Sequence, residues 1–192
     1  AFAATQTIHV IRAEAGLPYV KLSAGNLYGR INGGVDAGSY LSDAIAELLK
    51  NGVCRADLVP ELQWRQRNWP SNWKEDARKF KALEAWDCPT FDHIASALQY
   101  GFPCDIGVNF SGTFDTNSDG WVPYRPARGG HAMCAVGLIY HDKYGWGVKV
   151  ANSWGKNWGV NGFGILPEEF FTKSVFSDGW AVRGVVDPEG EE

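Results

Sequence analysis

The chain is poor in the residues that staple, coordinate or span. It has four cysteines in 192 residues, Cys54, Cys88, Cys104 and Cys134, and a single methionine. No two cysteines stand at C-x-x-C spacing and they show no metal-ligand spacing, so neither a zinc site nor a dithiol redox motif is indicated. No metal and no cofactor is expected. No apolar run approaches the roughly 18 residues a membrane helix needs, so no membrane partner is expected. Eighteen Lys and Arg against 22 Asp and Glu give a net charge of -4, without the basic footprint of a nucleic-acid binder. The chain starts Ala-Phe-Ala-Ala, with no Met and no basic-then-apolar leader, so no targeting signal is read and the compartment stays open.

What the chain has is core and turns: 45% hydrophobic residues, 23 glycines and nine tryptophans. That suffices for one large domain or two small ones with an aromatic-lined cleft. The pattern predicts a helix over 1–15, with an apolar stripe of Phe2, Ile8 and Ile11 beside Ala1, Ala4 and Thr5, stopped at Gly16-Leu17-Pro18. A second helix is predicted between Gly38 and Gly52, capped by Ser39, with Leu41, Ile45, Leu48 and Leu49 on one face. Residues 55–80 are polar, with Trp64, Trp69 and Trp73 set among Arg65, Arg67, Lys74 and Arg78. This mixture reads as a surface excursion anchored by tryptophans rather than a base-stacking surface. A crossing near 81–90 leads to a short helix capped by Thr90, with His93 solvated in its first turns, and then to a strand over 103–110.

Asn109-Phe110-Ser111 is formally a glycosylation sequon in an unfavourable strand setting. Asp115 to Gly120 copies the opening of a calcium loop, but Pro126 stands where the bidentate Glu belongs, so a polar turn is expected. Strands are predicted at 162–167 and 180–186, with a short helical turn at 168–171 between them. The tail 187–192 is acidic and expected to be disordered. Helices first and strands later predict an α+β fold in two lobes, divided as 1–80, helical, and 81–192, rich in strands.

The stretch 129–163 carries the chemistry. Gly130-His131-Ala132-Met133-Cys134-Ala135-Val136-Gly137 and Gly147-Val148-Lys149-Val150-Ala151 read as two buried strands joined by a turn at 141–145. The hairpin brings His131 and Asn152 together at one end. An imidazole beside a side-chain amide is half of a nucleophilic triad: the amide fixes the ring, and the other ring nitrogen takes a proton from a thiol or hydroxyl. Cys134, three residues from His131 on one strand, faces the opposite side.

With Asn152-Ser153-Trp154-Gly155, then Trp158, Gly159, Gly162 and Phe163, this stretch resembles the papain-like cysteine peptidases, in a bacterial or viral-like branch. The resemblance implies a papain-like fold with a helical lobe, a β-barrel-like lobe and an active-site cleft between them. It implies that His131 is general base and then general acid, that Asn152 orients its ring, and that Trp154 shields the pair from water. Ile31-Asn32-Gly33-Gly34 matches the family's C-N-G-G, so Gly33 and Gly34 would hold substrate backbone as an added strand. Ile31 stands where secreted members carry a cysteine, so the family's usual disulfides are not expected.

By the same resemblance, Val35, Gly107, Gly130 and Ala132 would line the main specificity pocket. All are small or apolar, which implies a bulky apolar side chain at the second residue before the cleavage point. Ala1-Phe2-Ala3-Ala4 matches the residues directly after the family's catalytic Cys-Trp pair. The nucleophile and the Gln of the oxyanion hole would then precede Ala1, and the chain alone would be inactive. A peptide or protein substrate is the implied partner, with an N-terminal propeptide or a larger parent chain left open. The other reading is a catalytically dead relative serving as a peptide-binding or structural module.

Overall fold

The computed structural model describes residues 1–110, 114–126, 128–173 and 178–186. The acidic tail and Ser111 of the sequon lie outside the described residues. The chain divides into two compact units, one of residues 1–85 with 182–192 and the other of 86–181.

The first unit carries α1 (Phe2–Glu14), α2 (Ala24–Ile31), α3 (Leu41–Lys50) and α4 (Trp73–Arg78). The expected stripe of α1 holds at Ala4, Thr5 and Ile8 and extends to Ala3 and Thr7 rather than to Phe2 and Ile11. Ala3, Ala4, Thr5, Thr7 and Ile8 are all essentially inaccessible, while Phe2 and Ile11 are only partly covered. Threonine can be core here because its hydroxyl bonds back to the preceding turn: Thr5 Oγ1 donates to Phe2 O and Thr7 Oγ1 to Ala4 O, each at 2.7 Å. Helix α2 was not expected. Ser23 caps it, its Oγ accepting from the Asn26 N–H at 2.9 Å. Helix α3 begins at Leu41, two residues past the expected cap; Tyr40 stands at the cap without a side-chain bond. Ala44, Ile45 and Leu48 are its buried face.

The 55–80 excursion is held as the tryptophans suggest. Trp69 and Trp73 pack against the buried Cys54, Val59 and Ala77. Asp76, almost wholly buried, accepts from the Arg55 backbone N–H at 2.8 Å and from Arg55 Nε at 2.9 Å.

The strands are β1 (Ala82–Asp87), β2 (Cys104–Phe110), β3 (Gly129–His141), β4 (Gly145–Ala151), β5 (Phe163–Pro167) and β6 (Asp178–Val185). They hydrogen bond in the order β1-β6-β2-β3-β4-β5, an open sheet with β1 and β5 at its edges. Strand β1 occupies the predicted crossing near 81–90. Helix α5 (Phe91–Gln99) is capped as expected, Thr90 Oγ1 accepting from the His93 N–H at 3.3 Å, and α6 (Glu169–Thr172) is a single turn. In the second unit Ile94, Ile106, Met133, Val148, Val150, Leu166 and Phe170 form a buried apolar cluster. The polar turn after Asp115 is organised by Asn117, whose Oδ1 accepts from the Asp119 and Trp121 N–H groups.

Candidate active site

The site is built on the β3–β4 hairpin. Cys134 pairs with Ala151 across it. One further step of that register sets Asn152 opposite Met133, and so diagonal to His131 on the same face. The Asn152 N–H donates to Gly162 O at 3.0 Å, which ties the residue to the chain leading into β5.

At this corner His131 Nε2 lies 2.8 Å from Asn152 Oδ1. The same Oδ1 accepts from the Ser153 backbone N–H at 2.8 Å. That second bond fixes which way the amide points, because only an oxygen can accept from a backbone N–H. Asn152 therefore presents an acceptor to the ring, Nε2 carries the proton, and Nδ1 of the neutral imidazole is left with its lone pair. Asn152 is 5% exposed and His131 partly buried, so the bond is largely protected from competing water.

Aromatic rings enclose the imidazole. Trp154 lies 5.0 Å from it, centroid to centroid, with Phe110 at 5.6 Å and Phe114 at 6.2 Å. Trp158 stacks on Phe114 and donates its Nε1–H to Phe114 O at 2.6 Å. Trp154 and Trp158 stand in the sequence motif; Phe110 and Phe114 were not singled out as site residues. The strand pairing that sets Phe110 opposite Gly129 could have pointed to the first. Phe114 lies outside the predicted strands, and no local pattern marks it.

Of the other candidates, Gly107 faces Ala132 in register and Gly130 pairs with Asn109. A side chain added at Gly130 would meet open space. Gly33, Gly34 and Val35 belong to the other unit, in the turn after α2. Both glycines have positive φ, 64° and 82°, a conformation other residues rarely adopt. Nothing lies within 4 Å of where a side chain would begin on either. The Gly34 N–H is already given to Asn32 Oδ1 at 2.8 Å.

All four thiols are buried and unpaired by disulfides. Burial pushes Cys54 up to about 12 and Cys134 well up. Cys88 and Cys104 share a hydrogen bond that lowers the first and, with burial, raises the second. Among the described residues, no hydrogen bond joins the three thiols of the 86–181 unit to His131; Cys88, Cys104 and Cys134 reach the carbonyls of Trp86, Phe102 and Ala135 instead. The described residues hold no group of three or more metal-ligating side chains, and no helix among them is long and apolar enough to cross a membrane.

A sequence profile described as papain family cysteine protease matches residues 1–170. A curated relative, an uncharacterised peptidase C1-like protein of Acanthamoeba polyphaga mimivirus, is 31% identical, the match covering 80% of this chain and 54% of that protein. The chain thus spans about half the length of the curated relative it matches. Among solved structures, xylellain, a cysteine protease from Xylella fastidiosa, superposes with a TM-score of 0.79 at 24% identity, over 95% of this chain and 78% of that one. A digestive procathepsin L 3 of the Tenebrio molitor larval midgut does so with a TM-score of 0.74 at 14% identity, over 95% and 62%. At such identities the structural likeness bears on the fold.

Proposed function

The chain belongs to the papain family of cysteine proteases, and on that premise we propose that it carries the acid–base half of a cysteine peptidase that hydrolyses peptide bonds. The observation that carries the reading is the pair of bonds accepted by Asn152 Oδ1, one from His131 Nε2 and one from Ser153 N–H. Together they leave Nδ1 of His131 as the basic nitrogen.

A thiol brought to Nδ1 gives up its proton there, and the thiolate–imidazolium pair forms. The thiolate adds to the scissile carbonyl carbon. As the tetrahedral adduct collapses, the imidazolium returns its proton to the departing amine, and a thioester remains. Water then attacks the thioester while Nδ1 takes its proton. The carboxylic acid leaves and the thiol is restored. Asn152 holds the ring through both transfers, and Trp154 keeps water from the Asn152–His131 bond.

The nucleophile in this reading is none of the four cysteines: burial opposes a reactive thiolate at Cys54, Cys104 and Cys134, and Cys88, lowered to about 7 by its bond with Cys104, also reaches the Trp86 carbonyl rather than His131; the nucleophilic thiol precedes Ala1. Gly33 and Gly34 hold substrate backbone. Val35, Gly107, Gly130 and Ala132, all small or apolar, favour a bulky apolar residue at the second position before the cleaved bond.

The test is thiol-dependent hydrolysis of a peptide library by the natural full-length protein, by its His131→Ala variant, and by the 192-residue chain alone. The expected result is turnover by the first, a loss of about 10³-fold or more in kcat for the second, and none by the third. Thiol-sensitive turnover by the 192-residue chain would overturn the placement of the nucleophile. Absence of turnover in the full-length protein would favour the catalytically dead reading.

A further inference from the structure

The excursion over residues 60–69 is seated on α2 in a way its composition does not explain. Gly25 and Gly29 stand one turn apart on that helix, and both face the loop. A side chain begun at Gly25 would come within 2.3 Å of Glu61 O, and one at Gly29 within 2.0 Å of Trp64 O. The loop backbone therefore lies directly against the bare helix. Gln66 Nε2 donates to Gly29 O at 2.9 Å, Trp69 Nε1 donates to Gln63 O at 2.6 Å, and Trp64 meets Tyr28 edge to face. These contacts hold the loop where its next residues border the turn that carries Gly33 and Gly34.

Between loop and turn lies a recess of about 530 Å³ lined by Gly33, Gly34, Trp64, Arg65, Gln66 and Arg67, with Gly29 and Arg30 at its base. That volume is in the range of ligand sites. Its charge is of one sign. Arg30 is already neutralised by Glu47 at 2.8 Å, and Asp36 accepts from the Tyr28 hydroxyl at 2.6 Å. Arg65 rests over the Trp64 ring. Among the described residues, neither Arg65 nor Arg67 has a carboxylate within ion-pairing distance. In a chain of net charge -4, two uncompensated guanidinium groups beside a glycine turn make a local anion receptor.

We propose that this recess binds a carboxylate side chain of the peptide substrate, Asp or Glu, within two residues of the one whose backbone lies on Gly33 and Gly34. Arg65 and Arg67 are specificity-determining residues for that position. The inference rests on the peptide-binding reading given above.

The test is equilibrium binding of a fluorescent position-scanned peptide pool to the 192-residue chain, followed by matched peptides with Glu, Gln or Lys at the enriched position. An acidic residue should be enriched at one position. Replacing Glu by Gln should weaken binding about fivefold at low salt, with the difference shrinking as salt rises. The Arg65→Gln/Arg67→Gln variant, altered only at exposed positions, should keep its circular dichroism and bind the Glu and Gln peptides alike. Equal binding of the Glu, Gln and Lys peptides by the unaltered chain would overturn the proposal while leaving the peptide-binding reading standing. So would an acidic preference that survives in the double variant. No binding of any peptide would overturn both.

Discussion

A single amide decides the chemistry of the imidazole. Because Asn152 Oδ1 takes hydrogen bonds from both His131 Nε2 and Ser153 N–H, the ring cannot turn or change tautomer without breaking a bond in a site where Asn152 is 5% exposed. If the proposed peptidase reading holds, Asn152→Ala should lower kcat of the full-length protein by about 10²-fold, with KM nearly unchanged, since orientation rather than substrate contact is lost. Steady-state kinetics with a peptide substrate checks this; a rise in KM at constant kcat would contradict it. That His131 and Asn152 lie together was legible in the sequence, because a short hairpin with a marked turn fixes which residues meet at its end; Trp154 beside them was named through the family resemblance. Phe110 and Phe114 were not legible, since their ring contacts with His131 join residues far apart in the chain.

At the scale of elements, apolar spacing marks the helices where it is strong; α2 escapes it through its glycines, and α4 (Trp73–Arg78), within the polar 55–80 stretch, through its charged sequence. Helix α3 was visible from Ile45 and Leu48. Helix α2 was hidden because its Gly25 and Gly29 lower helix propensity and are there to admit the backbone of residues 60–64. Their value appears only once the loop is in place. Gly29→Ala should accordingly destabilise the protein, although alanine is the better helix former: the added carbon would stand 2.0 Å from Trp64 O, an overlap costing about 1–3 kcal/mol. Thermal unfolding would show the loss, and a gain in Tm would disprove the close seating of the loop. The small buried residues of α1 were obscure for a related reason. Alanine and threonine do not mark a core face until hydroxyl bonds such as Thr7 Oγ1 to Ala4 O are seen.

For the molecule as a whole, one buried charge sets a pH dependence. Both carboxylate oxygens of Asp105 are buried without a hydrogen-bond partner, and desolvation raises its pKa to about 7, with nearby Asp178 adding to the rise. Its neighbour across the β2–β3 ladder is Cys134, whose thiol is itself pushed up by burial. The unfolded carboxyl titrates near 3.9, so between about pH 4 and 7 the folded chain holds a proton that the unfolded chain has released. The stabilising contribution of the neutral acid is complete below about pH 4 and is lost as pH rises through 7. Asp105→Asn should match the parent in Tm at pH 4 and exceed it by on the order of 5 °C at pH 8. A Tm difference independent of pH would show that Asp105 does not titrate in this range.

What the sequence determined by itself was local and periodic. It set the helix α3, the capped helix after Thr90, the strands of the hairpin with its turn at 141–145, and the meeting of His131 with Asn152. Each follows from side-chain spacing along a few residues, where backbone geometry leaves little choice. The tertiary structure alone decided which strands neighbour which, so that β6 lies between β1 and β2. It also decided that the tryptophan-rich loop would press on bare glycines of α2, and that the rings of Phe110 and Phe114 would close on the imidazole. Those are contacts between residues far apart in the chain, selected by packing and by the burial of polar atoms, and no short-range pattern encodes them.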